Sequence, residues 1–313
     1  MIVDAGSDTA AKPSVTKGEN GGGFALRFAA HLGIIPGGPG LFSATAGSDP
    51  VAQIAFAHEQ GFTAMEDNFL RARAIPVQDR IGQALRERNM TLGCFLGITI
   101  HDRPTFARRD PQSTNLLIEE TKKSIEVACR VGARNLTIIP GRLDPNVPRS
   151  DQLQAAIANL QQLASLAEAA DVVLQVEAIS RKRWDDILIN HVDDAYALCK
   201  AVGSRAVKVL FDVYQCQRES GDLIASLDRC WDEIGYIQIA DNPGRCEPGT
   251  GEINFENVLT HIKRRGWTGL VGLEHDIGTA GQPGVNKVLD TYRRLNAAIL
   301  AGASRPSFSG AAQ

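Results

Sequence analysis

No stretch of this chain reaches the roughly 18 consecutive apolar residues that a membrane-spanning helix needs, so no transmembrane segment and no membrane partner is expected. Basic residues are not in excess. The 33 Lys and Arg face 36 Asp and Glu for a formal net charge of −3, which removes the electrostatic footprint of a nucleic-acid-binding protein. The six cysteines, at 94, 129, 199, 216, 230 and 246, form no CxxC pair and no disulfide framework. They read as buried reduced thiols, and the default compartment is the cytoplasm. No GxGxxG follows the first strand-like run, which argues against an open dinucleotide-binding sheet.

What is present is a long apolar alternation. Of 313 residues, 43% are hydrophobic, ample for one large core. Residues 1–23 are polar and rich in Gly, Ser, Thr and Ala, with no basic start followed by an apolar run. They are expected to be a disordered arm rather than an intact signal peptide, and residues 303–313 an equally loose tail. Between them, over 24–302, strand-length runs alternate with amphipathic stretches, as in repeated βα units. Eight strands are expected: Ala25–His31, Ala64–Glu66, Leu92–Gly97, Asn135–Ile139, Val172–Glu177, Val207–Asp212, Tyr236–Ala240 and Leu270–Glu274. Eight units in one chain predict a single-domain (β/α)8 TIM barrel, which takes about 250 residues.

Helix boundaries fit this plan. Ser48-Asp49-Pro50 predicts a capped start before Val51–Gln60, with Gly61 as the stop. Ser150 is expected to cap a helix running to Ala170, and Asn254 to precede one at Phe255–Arg265 that Gly266 ends.

The chemistry gathers at strand ends. Strand five closes on Glu177, strand six on Asp212 and strand eight on Glu274, while strand seven carries Gln238 near its end. In a barrel these ends surround one mouth, where active sites form. Three carboxylates meeting there repel one another, and a divalent cation relieves that conflict. Oxygen ligands suit one Mg²⁺ or Mn²⁺, with Co²⁺ a third candidate. A lone acid at a strand end is commonly a helix cap, but four such residues in successive strands point to a site. The loop 240–254 follows strand seven, is fixed by Gly and Pro, and carries Arg245, which can reach a carboxylate or a hydroxyl-bearing ligand.

The segment Phe211-Asp212-Val213-Tyr214-Gln215-Cys216, with Ile237-Gln238-Ile239-Ala240-Asp241-Asn242-Pro243 and Pro248-Gly249-Thr250-Gly251-Glu252-Ile253-Asn254, closely resembles the hydroxypyruvate isomerase branch of the xylose isomerase-like TIM-barrel sugar isomerases and epimerases. The resemblance implies a metal set of Glu177, Asp212, Gln238 and Glu274, a catalytic pair Glu177 and Glu274, and a substrate contact at Arg245. It also implies a mechanism: a proton leaves the carbon next to a metal-polarised carbonyl, and an enediolate forms. Return of the proton to the adjacent carbon isomerises the substrate, and return on the opposite face epimerises it.

Departures from the family pattern touch the substrate shell. Gln215 stands where relatives carry a substrate-contacting His. Glu177-Ala178-Ile179-Ser180 replaces Glu-Pro-Ile/Leu-Asn, and His275-Asp276 replaces an aromatic and a Lys. If Asp276 faces the mouth, neutral ketoses or keto-glycosides are preferred over small oxo acids. A lyase or dehydratase acting on a keto-sugar is the alternative chemistry, and a non-catalytic sugar-binding barrel the alternative class. The multi-zinc phosphate-ester chemistry that shares the fold needs a His-rich cluster, and only six His are present. His31, His101 and Glu66, at or after strand ends, are further candidate substrate contacts, each with a structural role as its rival reading. The loop 98–110 is a candidate lid. The partner expected is a small carbohydrate or hydroxy-oxo compound, and nothing excludes a homo-oligomer.

Overall fold

Short runs buried on both faces build the sheet, and one glycine interrupts it. A computed structural model describes residues 23–303. The arm and the tail expected at the termini lie outside the described residues except at Gly23 and Ala303. Nine parallel strands are present: β1 (Arg27–His31), β2 (Ala64–Glu66), β3 (Thr91–Leu92), β4 (Cys94–Leu96), β5 (Asn135–Ile138), β6 (Val173–Glu177), β7 (Val207–Asp212), β8 (Ile234–Gln238) and β9 (Leu270–Leu273). Their order is β3-β2-β1-β9-β8-β7-β6-β5-β4, a nearly closed barrel. The two ends of that order, β3 and β4, flank Gly93. The third expected strand is thus a single stretch that pairs with β2 through Thr91 and Leu92 and with β5 through Cys94–Leu96.

The helices return the chain from strand to strand: α1 (Ser43–Ala46), α2 (Pro50–Glu59), α3 (Ile75–Glu87), α4 (Pro111–Val131), α5 (Arg149–Ala169), α6 (Val192–Val202), α7 (Val213–Glu219), α8 (Leu223–Cys230), α9 (Phe255–Arg264) and α10 (Gly281–Ala303). Asp49 caps α2 by accepting from Val51 N–H, and Asn254 caps α9 by accepting from Asn257 N–H. Ser150 is not a cap. Helix α5 begins at Arg149, with Pro148 in the cap position two residues earlier, and the fixed φ of Pro148 starts the turn without a side-chain hydrogen bond. Among the described residues no helix is long and apolar enough to cross a membrane.

The main core lies between strands and helices. A separate cluster of Ala29, Ala64, Cys94, Leu210, Tyr236 and Leu270 fills the inside of the barrel. Side chains alternate across a strand, so residues two further on share that inward face one layer higher. Stepping up from Leu210 and Tyr236 gives Asp212 and Gln238. Stepping up twice from Leu270 passes Gly272 and reaches Glu274. Glu177 likewise stands one step above Gln175 on β6. The alternation that packs the interior therefore delivers all four polar residues to the C-terminal mouth.

Candidate active site

Glu177, Asp212 and Glu274 are buried, and each offers a carboxylate oxygen within 4.8 Å of the others. Glu177 and Glu274 line a cavity of about 310 Å³, together with Gln238, Arg245, Gln215, His101, Asn68, Arg183 and Trp184. A larger cavity of about 640 Å³ lies beyond Phe69, under the glycine-rich 33–40 loop, and none of the strand-end acids lines it.

The electrostatics are those of acids crowded out of water. Burial, then Glu274 and Asp212, push the Glu177 carboxyl well above the usual range. Burial and Glu274 raise Asp212 to about 7, against the opposing pull of Arg245. Arg245 supplies the local positive charge. Its Nη2 donates to Glu274 Oε2 at 2.5 Å and stands 3.9 Å from Asp212 Oδ2. Burial works against its charge, but Glu274, Asp212 and Glu177 outweigh that and raise its pKa. The guanidinium also lies 5.2 Å from the centre of the Tyr214 ring, a cation–π contact that fixes its plane. Glu274 Oε1 accepts from Asn68 Nδ2 at 2.6 Å.

Two oxygens at this floor are buried without a hydrogen-bond donor: Asp212 Oδ2 and Gln238 Oε1. Asp212 Oδ1 accepts from Tyr214 N–H at the start of α7, and Gln238 Nε2 donates to Glu66 Oε1 at 2.7 Å. Orphaned buried oxygens are costly. A hard divalent cation would satisfy both, so the residues present fit the metal that the strand-end acids imply.

The loop carrying Arg245 is knotted around Asp241. This fully buried carboxylate accepts from the backbone N–H groups of Asn242, Gly249, Gly251 and Ile253. Arg245 itself adopts a left-handed φ of 54°, which its loop must hold in place. Glu247 ties the same loop to the chain after β9 through Gly278 N–H and Lys287.

Most of the residues picked out at strand ends meet here, but not all. His31 is fully buried and lines neither cavity. Its Nε2 lies 3.0 Å from the His275 carbonyl oxygen, and burial with His275 lowers its pKa to about 3, so it is a neutral structural histidine. Glu66 is also enclosed, lines neither cavity and accepts from Gln238, which it braces. Burial and Glu274 raise its pKa to about 8, against the donors Tyr236 and Gln238. His101 does line the cavity, stacked on Trp184 at 5.3 Å. Gln215 lines it too, with its Oε1 taken by Ser180 N–H at 3.1 Å. Of the lid candidate 98–110, Arg103 pairs with exposed Asp102 and Arg108 with Asp144, so these arginines serve the loop.

Asp276 is exposed and does not line the cavity, which removes the premise for preferring neutral ketoses over oxo acids. The lining instead holds two guanidinium groups, Arg245 and Arg183, and among the described residues Arg183 forms no carboxylate pair within 4.0 Å. Asn68, Arg183 and Trp184 were not expected. Asn68 follows β2 and Arg183 and Trp184 follow β6, so their position in mouth loops was the available signal.

A nearly closed parallel barrel with this acid cluster at its C-terminal mouth is the architecture of a class, the xylose isomerase-like TIM barrels. The model of that family matches residues 54–295, and the chain belongs to it. Over 180 residues it is 31% identical to hydroxypyruvate isomerase of Escherichia coli strain K12, covering 56% of this chain and 69% of that protein. Over 153 residues it is 32% identical to 2-oxo-tetronate isomerase of Cupriavidus necator, covering 49% of this chain and 59% of that protein. Among solved structures, E. coli 3-keto-D-glucoside 4-epimerase superimposes with a TM-score of 0.68 at 17% identity, over 87% of this chain and 99% of that one; at this identity the likeness shows the fold alone.

Proposed function

We propose that this chain is a divalent-metal-dependent isomerase or epimerase that moves a proton next to the carbonyl of a small hydroxy-oxo compound. One observation carries the reading. Two carboxylates, Glu177 and Glu274, stand within 4.8 Å of each other and of Asp212 at the floor of a cavity of about 310 Å³, beside two donor-less oxygens. Glu177, Asp212, Gln238 and Glu274 would hold the cation. Once bound, it would supply Lewis-acid polarisation of the substrate's oxygens.

The protein's own groups then do the proton work. One Glu takes the proton from the carbon beside the carbonyl and ends protonated, and the other, protonated at the start, delivers its own proton to the neighbouring carbon or to the opposite face; isomerisation also moves a proton between the two enediolate oxygens. The enediolate that forms between these steps carries negative charge, and the Arg245 guanidinium is placed to balance it. Gln215, with its oxygen engaged by Ser180, offers its amide N–H₂ to a substrate oxygen. Apolar Ile139, Ile179, Leu96 and Phe69 on the cavity wall limit water around the intermediate.

The names of the two relatives at 31% and 32% identity specify oxo acids, and the Arg245 and Arg183 lining supports an anionic substrate over a neutral ketose. Incubation of the protein with hydroxypyruvate, 2-oxo-tetronate or D-psicose in D₂O, with Mn²⁺ or Mg²⁺, tests this by NMR. Deuterium is expected at the carbon beside the carbonyl, with the oxo acids reacting fastest. Absence of exchange from all three substrates with either metal would refute the reading.

A further inference from the structure

A side-chain amide offers a cation either an oxygen or an N–H₂ group, and only the first binds. The terminal torsion of Gln is broad and nearly two-fold, so something must choose between the two faces. Here the choice is made from below. Gln238 Nε2 donates to Glu66 Oε1 at 2.7 Å, which turns Gln238 Oε1 away from Glu66, where it has no donor. Glu66 is in turn fixed by the Tyr236 hydroxyl, which donates to Oε2 at 2.8 Å. All three side chains are buried to within 1%.

Two glycines, Gly272 in β9 and Gly93 between β3 and β4, make room for this chain of groups. A methyl at position 272 would collide with Glu66 Oε2 and crowd Gln238 Cγ, and one at position 93 would collide with the Tyr236 hydroxyl. Glycine inside a strand weakens it and marks a close approach. Both approaches here are to members of the same three-residue chain.

We propose that Glu66, anchored by Tyr236, is a positioning residue that selects the amide face of Gln238, so that the site presents a fourth oxygen. The proposal rests on the metal reading above. Glu66 touches neither substrate nor cation and acts through Gln238.

Glu66→Gln inverts the logic at almost unchanged shape. The new amide can keep its oxygen on Tyr236 and donate its N–H₂ to Gln238 Oε1, which turns the Gln238 N–H₂ toward the cation. Mn²⁺ alone is the probe, titrated by calorimetry and by the EPR signal of free Mn²⁺. Removing a group that orients a metal ligand costs about 10–100-fold in affinity, and that loss is expected for Glu66→Gln. Wherever Glu66 is ionised, loss of its charge would also weaken binding, so the deciding measurement is a double-mutant cycle. In a Gln238→Ala background, Glu66→Gln is expected to cost less than threefold. An equal loss in both backgrounds, or none in either, would overturn the proposal. Should Glu66→Gln fail to fold, Tyr236→Phe takes its place, since it keeps every charge. A Mn²⁺ affinity reduced about threefold or more, and unchanged by the same substitution in Gln238→Ala, supports the proposal, and wild-type affinity overturns it. If the wild-type chain itself binds no Mn²⁺, it is the metal reading that falls.

Discussion

Arg245 and Glu274 form a 2.5 Å pair at the floor of the cavity, so one carboxylate proposed for the metal is already engaged by a cation of the protein. Removing the guanidinium should therefore have opposite effects on two measurements. Arg245→Ala is expected to lower the melting temperature of the metal-free protein, because the loss of one partner of a buried pair costs about 3–5 kcal/mol. The same variant should bind Mn²⁺ more tightly in calorimetry, since the competing cation is gone. Its KM should rise more than its kcat falls.

Glu177→Gln and Glu274→Gln should each cut turnover by about 10²–10⁴-fold, the usual contribution of a general acid or base. Deuterium wash-in to the substrate separates this from simple loss of metal, provided the variants are assayed at saturating Mn²⁺. Near-normal exchange in either variant would remove that residue from the proton path.

The raised acids predict how the metal-free protein responds to pH. Asp212 is raised to about 7, Glu66 to about 8, and Glu177 well above its ordinary value. A carboxyl raised in the folded state contributes stability that is present below its unfolded pKa and is lost as pH rises through the folded one. His31 works in the other direction, but only below its unfolded value of about 6.5. Between pH 6.5 and 8 the acids act alone, so the melting temperature without metal should fall. Saturating Mn²⁺ should flatten the slope, and metal binding at pH 7 should release protons, visible as a buffer-dependent heat.

Asp241 binds no substrate in this reading, yet its loss should be felt at the site. Asp241→Ala leaves four backbone N–H groups without their acceptor, that of Ile253 buried and the others part-buried, and an orphaned buried donor costs about 1–3 kcal/mol. A destabilisation of about 3 kcal/mol or more is expected in urea unfolding, together with a raised KM as Arg245 loses its fixed position.

The barrel was legible because each strand is a short apolar run, and the four polar residues of the proposed metal set were legible because they end or nearly end such runs. Glu177, Asp212, Gln238 and Glu274 needed only the two-residue alternation to be placed on one face. Depth along that face was harder to read. Glu66 ends β2 as Glu274 follows β9, but the Glu66 side chain occupies the space that Gly272 leaves and bonds to Tyr236 and Gln238. The sequence pattern carries the face and not the partners a side chain finds there. Asp276 was misplaced for a related reason: past the strand end the alternation lapses, and its backbone N–H bonds to the Arg245 carbonyl while the residue lies exposed. Trp184 and Arg183 belong to an irregular loop, where no periodicity tells inside from outside.

The interruption at Gly93 also makes the barrel wall uneven. On one side of it β3 joins β2 through two residue pairs, and on the other β4 joins β5 through three, whereas β6 and β7 share four. The β8–β9 pair is as short, with two, so these two lines of the wall are expected to exchange their amide protons with solvent before the β5–β6 and β6–β7 pairs. The Tyr236 hydroxyl fills the notch at Gly93. The side chain that fills this notch is thus the one that anchors Glu66, and an opening of the wall there would loosen the floor of the cavity before it unfolded the protein.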